Sequence, residues 1–262
     1  MKQTLTAFDS LNLINHIDGD VNAKPVVLLH GLGAEHRMWQ PQLESFPAAG
    51  WRVIAPDMRG HGASDTPATF SLADCARDVA DILAANDIEK ASIVGVSMGG
   101  LVAQQMTCDF PEKVEKLVIV DSFSGVRGTT AKINAGMASF FLKVLPVSMQ
   151  TKLLTSTYSR MGHPEVAFYF EEQIGKVNGR SLRHMRTVVN QFDIFDRLSS
   201  ITVPTLVLVG DGFGKAAIEM ARETGNAIPN AQFEILPGGG DPSNLLVPEK
   251  FDAAVLPFLT ET

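Results

Sequence analysis

Ser97 stands between Gly95 and Gly99, with the apolar run Ile93–Val96 before it and the helix-forming run Leu101–Met106 after it. Strand, sharp turn and helix in that order hold the central residue in strained backbone geometry, so its neighbours two before and two after must be small. The hydroxyl then stands clear of the sheet at a helix N-terminus, where N–H groups without helical partners and the positive dipole end favour anions. That is a presentation for nucleophilic attack. The pattern is short and also arises by chance in glycine turns; the flanking strand and helix favour the nucleophile. A serine hydroxyl needs a base to take its proton, and the base needs an orienting acid. Six histidines are present, at 16, 30, 36, 61, 163 and 184, so none follows His184. Aspartates 57, 121, 211 and 241 lie near the ends of apolar runs, where such residues more often cap turns than bind ions.

Composition narrows the classes. With 262 residues, 45% hydrophobic and 19% charged, the chain is ordinary for a globular enzyme with one large core. A formal net charge of −7 without a dense Lys/Arg cluster argues against nucleic acid. The stretch Met1–Asp9 lacks the apolar core of a signal peptide, and no apolar run approaches the roughly 18 residues of a membrane span. Cys75 and Cys108 fall in predicted helices without metal-ligand spacing and read as buried thiols, which points to a cytoplasmic location. No metal constellation, phosphate loop or other cofactor motif is evident.

The elements that must position Ser97 follow from periodicity. Residues 4–17 predict two short antiparallel edge strands. Continuous apolar runs at Pro25–His30, Trp51–Pro56, Ala91–Val96, Val114–Val120 and Val203–Gly210 predict strands buried on both faces, as parallel sheets require. A helix capped near Ser71 carries Leu72, Ala76, Val79, Ile82 and Leu83 on one face and Asp74, Arg77, Asp78 and Asp81 on the other. From 124 to 197 the strand rhythm stops and helical patterns, broken at Pro146, Gly162–Pro164 and Asn178–Gly179, carry Met137, Phe140, Phe141, Phe168, Tyr169, Phe170 and Phe192. A helix over 215–227, a strand at 232–236, a glycine loop at 237–242 and a last helix over 248–259 complete a repeated β-α-β order.

Four stretches in order, His30-Gly31-Leu32-Gly33, Asp57-x-Arg59-Gly60-His61-Gly62-x-Ser64, Gly95-x-Ser97-x-Gly99-Gly100 and Val203–Gly210, make the whole chain resemble the α/β-hydrolase superfamily, most closely small-molecule esterases and enol-lactonases. The resemblance implies an α/β fold: a mostly parallel sheet flanked by helices, with a core of residues 1–123 and 198–262 and a helical lid of residues 124–197. It implies Ser97 as nucleophile and the backbone N–H groups of Leu32 and Met98 as the oxyanion hole, one such donor being worth about 3–4 kcal/mol. It gives His30 and His61 structural roles. The implied partner is a small, mostly apolar ester, lactone or ketone held under lid aromatics, with neither nucleic acid nor membrane involved; oligomeric state is not legible.

Two positions depart from the family. The acid after the strand ending at Gly210 reads Phe213, with Asp211 two positions early, and the base in the loop Pro237–Asp241 reads Asp241 in place of histidine. An ordinary aspartate is a weaker base at neutral pH than imidazole and holds no proton for the leaving group. Losing a triad histidine can cost on the order of a millionfold. Four readings stay open: an inactive or repurposed scaffold; a hydrolase using Asp121 with His163 or His184; carboxylate chemistry through Asp241; and a small-molecule binding protein without turnover. If Asp241 takes the base position, its carboxylate should point at Ser97 and Phe213 should fill the vacated acid site.

Overall fold

The parallel strands expose why their sequences are continuously apolar. Val27, Leu29, Ile93, Leu117, Ile119, Val207 and Val209 join one buried cluster, whereas Val26, Leu28, Val94, Val96, Val118, Val120, Leu206 and Leu208 join another. Side chains alternate across a strand, so each run feeds two cores, one on each face of the sheet. A computed structural model describes residues 1–125 and 145–261. The strands are β1 (Lys2–Thr6), β2 (Asn12–Asp18), β3 (Lys24–Leu29), β4 (Trp51–Asp57), β5 (Ala91–Val96), β6 (Val114–Val120), β7 (Thr205–Gly210) and β8 (Gln232–Leu236). They form one sheet in the order β1-β2-β4-β3-β5-β6-β7-β8. β2 pairs antiparallel with β1 and β4, and every other pairing is parallel.

This order locates the site. The chain moves from β3 outward to β4, then returns to place β5 on the other side of β3. The loops leaving β3 and β5 therefore diverge, and open α/β sheets bind ligands in the crevice at that switch point. Leu32 follows β3 and Ser97 follows β5.

Helices α1 (Gln40–Ala48), α2 (Leu72–Ala85), α3 (Met98–Asp109), α4 (Val147–Arg160), α5 (Pro164–Lys176), α6 (Gly179–Asn190), α7 (Lys215–Ala227), α8 (Ser243–Leu246) and α9 (Pro248–Thr260) accompany the sheet. Periodicity does not reveal the turn His36–Trp39 and α1, a short helix with a proline at each end. It is held in place by burial of Met38, Trp39, Leu43 and Phe46. α4, α5 and α6 lie between β6 and β7. They sit over the strand C-termini: Ile174 and Leu182 reach Gly33, Met185 reaches Gly60, and Met161 reaches Gly212 and Gly240. Among the described residues no helix is long and apolar enough to cross a membrane. Cys75, buried in α2, and Cys108, in α3, are both free thiols.

The polar face of α2 is only partly exposed. Ser71 caps the helix by accepting the Asp74 N–H at 3.0 Å, but Asp78 does not face solvent. It is buried and accepts two hydrogen bonds from Arg59, each 2.6 Å. Arg59 is fully buried after β4 and also donates to Asp9 at 2.9 Å. A helical wheel places Asp78 on the polar face but does not show its partner, 19 residues away. Removing one member of a buried charge pair strands the other. Asp78→Ala should therefore lower unfolding stability by about 3–5 kcal/mol in urea titrations; a loss below about 1 kcal/mol would show that the pair is solvated.

Candidate active site

The chain enters the turn after β5 with Ser97 at φ 55° and ψ −119°, a left-handed backbone that non-glycine residues adopt only under constraint. The constraint is visible. The Ser97 N–H donates to the Val120 carbonyl at 2.9 Å, and the Ser122 hydroxyl donates to the Ser97 carbonyl at 2.8 Å. The neighbouring glycines are required by proximity. A Cβ on Gly95 would lie 2.1 Å from the Gly99 carbonyl oxygen, and one on Gly99 would lie 2.0 Å from that of Leu29.

The loop after β3 closes against the same point: a Cβ on Gly31 would sit 3.5 Å from the Ser97 Cβ. Its shape is set by His30. The Met58 N–H donates to Nε2 at 3.0 Å, which leaves the ring proton on Nδ1 to donate to the Gly31 carbonyl at 2.8 Å. Burial lowers the pKa of His30, so the ring is neutral and structural. His61 stacks edge-on against it and is likewise kept neutral, its pKa lowered to about 3 by burial and by His30. Leu32 comes next in the loop, and among the described residues its N–H donates to no loop or turn carbonyl. The Met98 N–H opens α3 and has no carbonyl one turn back to bond. Both expected oxyanion donors thus belong to segments adjoining Ser97.

Asp241 completes the contact. The Ser97 hydroxyl donates to Asp241 Oδ2 at 2.9 Å. The loop carrying Asp241 is anchored at several atoms. The Tyr158 hydroxyl from α4 donates to the Asp241 carbonyl at 2.7 Å. Asp121, buried at the end of β6 with φ 47°, accepts the Gly210 N–H at 2.8 Å, the Ser243 N–H at 2.7 Å and the Ser243 hydroxyl at 3.1 Å. Burial pushes the Asp241 carboxyl up to about 6, against the Ser97 hydrogen bond and the positive charge of Arg186. Burial and then the neighbouring Asp241 push Asp121 up to about 7, against its three donors.

Other candidates stay apart. Phe213 does not fill a vacated acid site; it is 39% exposed in the short turn Asp211–Phe213. Asp211 ties down the following loop by accepting the Gly238 N–H at 2.8 Å. His163 pairs with Glu165 at 3.3 Å at the start of α5. His184 is exposed and faces the loop 66–70. Neither bonds to Ser97 or Asp241. Of the aromatics expected to line a lid, Phe140 and Phe141 lie outside the described residues, as does Met137. Phe168 points to solvent at 70% exposure, which corrects its expected place in a cavity wall. Phe170 is buried and stacks on Tyr158, with ring centroids 5.3 Å apart. Tyr169 bonds the Glu35 backbone, and Phe192 joins the core.

Folding also gathers a constellation that spacing does not reveal. His36 Nδ1 lies 2.7 Å from Glu35 and 2.8 Å from Asp57, and these three residues could together ligate a metal ion. In the structure described, one protonated imidazole bridges the two carboxylates. The bonds to Asp57 and Glu35 raise His36 to about 9 against the cost of burial. Asp57 is held down near 2 despite burial by His36 and by the N–H groups of Ala63 and His36. A cation there would have to displace that proton.

Known proteins converge on the same frame. The family model described as alpha/beta hydrolase fold matches residues 24–246. A putative carbamate hydrolase from Variovorax paradoxus is 29% identical over 253 residues, covering 93% of this chain and 94% of its own. A 3-oxoadipate enol-lactonase from Acinetobacter baylyi is 29% identical over 238 residues, covering 90% and 88%. The solved thermophilic esterase from Thermogutta terrifontis superposes with a TM-score of 0.84 at 25% identity, covering 99% of this chain and 98% of its own. With the family model spanning all of the parallel strands and the turn at Ser97, the chain belongs to the α/β-hydrolase fold family.

Proposed function

We propose that this chain hydrolyses a small carboxylic ester or lactone through Ser97, with Asp241 as the proton-transfer group and the Leu32 and Met98 N–H groups as oxyanion hole. The observation that carries this reading is the 2.9 Å hydrogen bond from the Ser97 hydroxyl to Asp241. Ser97 Oγ adds to the substrate carbonyl carbon as its proton passes to Asp241 Oδ2, and the two N–H donors take the charge developing on the carbonyl oxygen. The tetrahedral intermediate expels the alcohol oxygen, which receives the proton from Asp241, and an acyl-serine remains. Water then adds with Asp241 again as base, releasing the acid and restoring the serine. The helical insertion of residues 124–197 acts as the lid. The relatives named as a putative carbamate hydrolase and an enol-lactonase support this reading, since cleavage of a carbamate or a lactone is an acyl transfer to water.

An aspartate in water would be a poor substitute for histidine. Burial changes the comparison, because a carboxyl raised to about 6 lies close to the imidazole value of about 6.5. Near neutrality it can both accept and return a proton, which is what efficient proton-transfer groups require. It still lacks a second nitrogen to hold an orienting acid. A binding protein without turnover is the second reading, favoured by the fact that no imidazole bonds to Ser97 among the described residues.

Turnover of p-nitrophenyl butyrate should be slow, should fall to background in Ser97→Ala, and should rise with pH through about 6 as Asp241 ionises. Ser97-independent turnover, or tight ligand binding with no acyl product burst, would remove the hydrolytic reading. Asp241→His alone should raise kcat/KM by about a hundredfold or more. Asp121 has a lone pair left on Oδ2 to orient the new imidazole, so Phe213→Asp is not needed. No gain from Asp241→His, with Phe213→Asp required, would return the acid to the β7 turn.

The raised pKa also sets a stability test. A carboxyl that titrates higher folded than unfolded favours the folded state fully below the unfolded value, and that contribution is lost as pH rises through the folded value. For Asp241 the window runs from 3.8 to about 6. Asp241→Asn should therefore gain roughly 2–3 kcal/mol relative to the parent between about pH 4 and pH 8. Urea titrations across that range check it, and parallel curves for the two chains would contradict the burial of the charge.

A further inference from the structure

We propose that Arg186 forms a subsite for a carboxylate carried by the substrate, so that the preferred ester or lactone bears one negative charge away from its reacting carbonyl. This deepens the hydrolytic reading of Ser97 and rests on it. Arg186 lies on α6, the last helix of the insertion, and follows Leu182 by one turn on the same helical face. Leu182 approaches Gly33, next to the proposed oxyanion donor Leu32, to 3.8 Å of a Cβ built there. Met185, beside Arg186, reaches Gly60. The α6 face bearing Arg186 is thus turned to the loops around Ser97, while Arg183 and His184 point to solvent.

The guanidinium is half-buried and electrostatically coupled to Asp241, yet no hydrogen bond or ion pair joins it to Asp241 or to any other carboxylate among the described residues. Residues 126–144 contain no aspartate or glutamate that could answer it. Arg59, by contrast, the one fully buried arginine among the described residues, has two aspartates bonded to it. Asp241 directs Oδ2 at Ser97, and Arg186, on the helix whose Leu182 and Met185 reach the loops at Gly33 and Gly60, keeps its five N–H donors unanswered by side-chain carboxylates among the described residues. A planar fork of that kind pairs bidentately with a carboxylate. One cation opposed by the buried acids Asp121 and Asp241 suits a monoanion rather than a phosphate dianion.

The test compares mono-p-nitrophenyl glutarate with its neutral methyl ester, which share the reacting bond and differ in the distal charge. The parent chain at about pH 8 should show a kcat/KM for the anionic ester about ten- to a hundredfold higher, the range expected of a hydrogen-bonded charge pair. Arg186→Met should bring that ratio to about one, and Arg186→Lys should leave an intermediate ratio. A fall of both esters together with the ratio kept would show that Arg186 serves only to hold Asp241 ionised, and would overturn the subsite. Calorimetric binding of pentanoate against pentanamide to the parent chain separates this proposal from the hydrolytic one. Tighter pentanoate binding that Arg186→Met abolishes supports the subsite even if no ester is turned over. Equal binding of acid and amide overturns it even if hydrolysis is fast, and butyl phosphate binding more tightly than pentanoate overturns the carboxylate assignment.

Discussion

Three strand ends meet at Ser97 within backbone contact distance, and that close approach is the constraint on which the rest of the site depends. The turn holds a serine in left-handed geometry, which costs on the order of 1–3 kcal/mol. Its retention requires β6 to supply the Val120 carbonyl and Ser122, and β3 to present the Leu29 carbonyl against Gly99. The register of β3, β5 and β6 is therefore also the register of the site. A slip of one residue would reverse which of the two cores each side chain enters. Sheet packing and serine presentation are in this sense a single structural problem.

Around that point, one residue type serves opposite ends of the acid–base scale. Asp57 is fixed near 2 by His36 and two N–H donors, and it organises the loops after β3 and β4. Asp241 is raised to about 6, and Asp121 to about 7, because burial outweighs the donors that each receives. Environments that push like groups apart are how a fold separates structural charges from proton carriers. Asp121 also couples β6 to the Asp241 loop through Gly210 and Ser243. The carboxylate bonded to Ser243, just after Asp241, thus follows β6, the strand beside β5, and does not come from the turn after β7 where Phe213 stands.

Helices α4, α5 and α6 contribute more than apolar contacts. Tyr158 holds the Asp241 backbone, Tyr169 ties α5 to the Glu35 loop, and Arg186 brings charge toward Asp241. Phe168, which composition alone would place inside, faces water. Helical aromatic content shows that a segment covers something; the rotation of each helix decides what it covers with.

The sheet was legible because parallel strands buried on both faces must be continuously apolar, and each such run here is a strand within two residues of its expected ends. Ser97 was legible because a backbone turn this tight demands Gly95 and Gly99, which is a local requirement written in adjacent residues. The bond between Ser97 and Asp241, across 144 positions, was anticipated only through the order of motifs. Asp78 with Arg59, Asp121 with Ser243, and His36 with Asp57 were not readable, because a helical or strand period reports which face a residue occupies and not what meets it there. The protonation of Asp241 belongs to the same class. Its sequence neighbours are glycines and a proline, and only tertiary burial, against the Ser97 hydrogen bond and the charge of Arg186, raises its carboxyl to about 6.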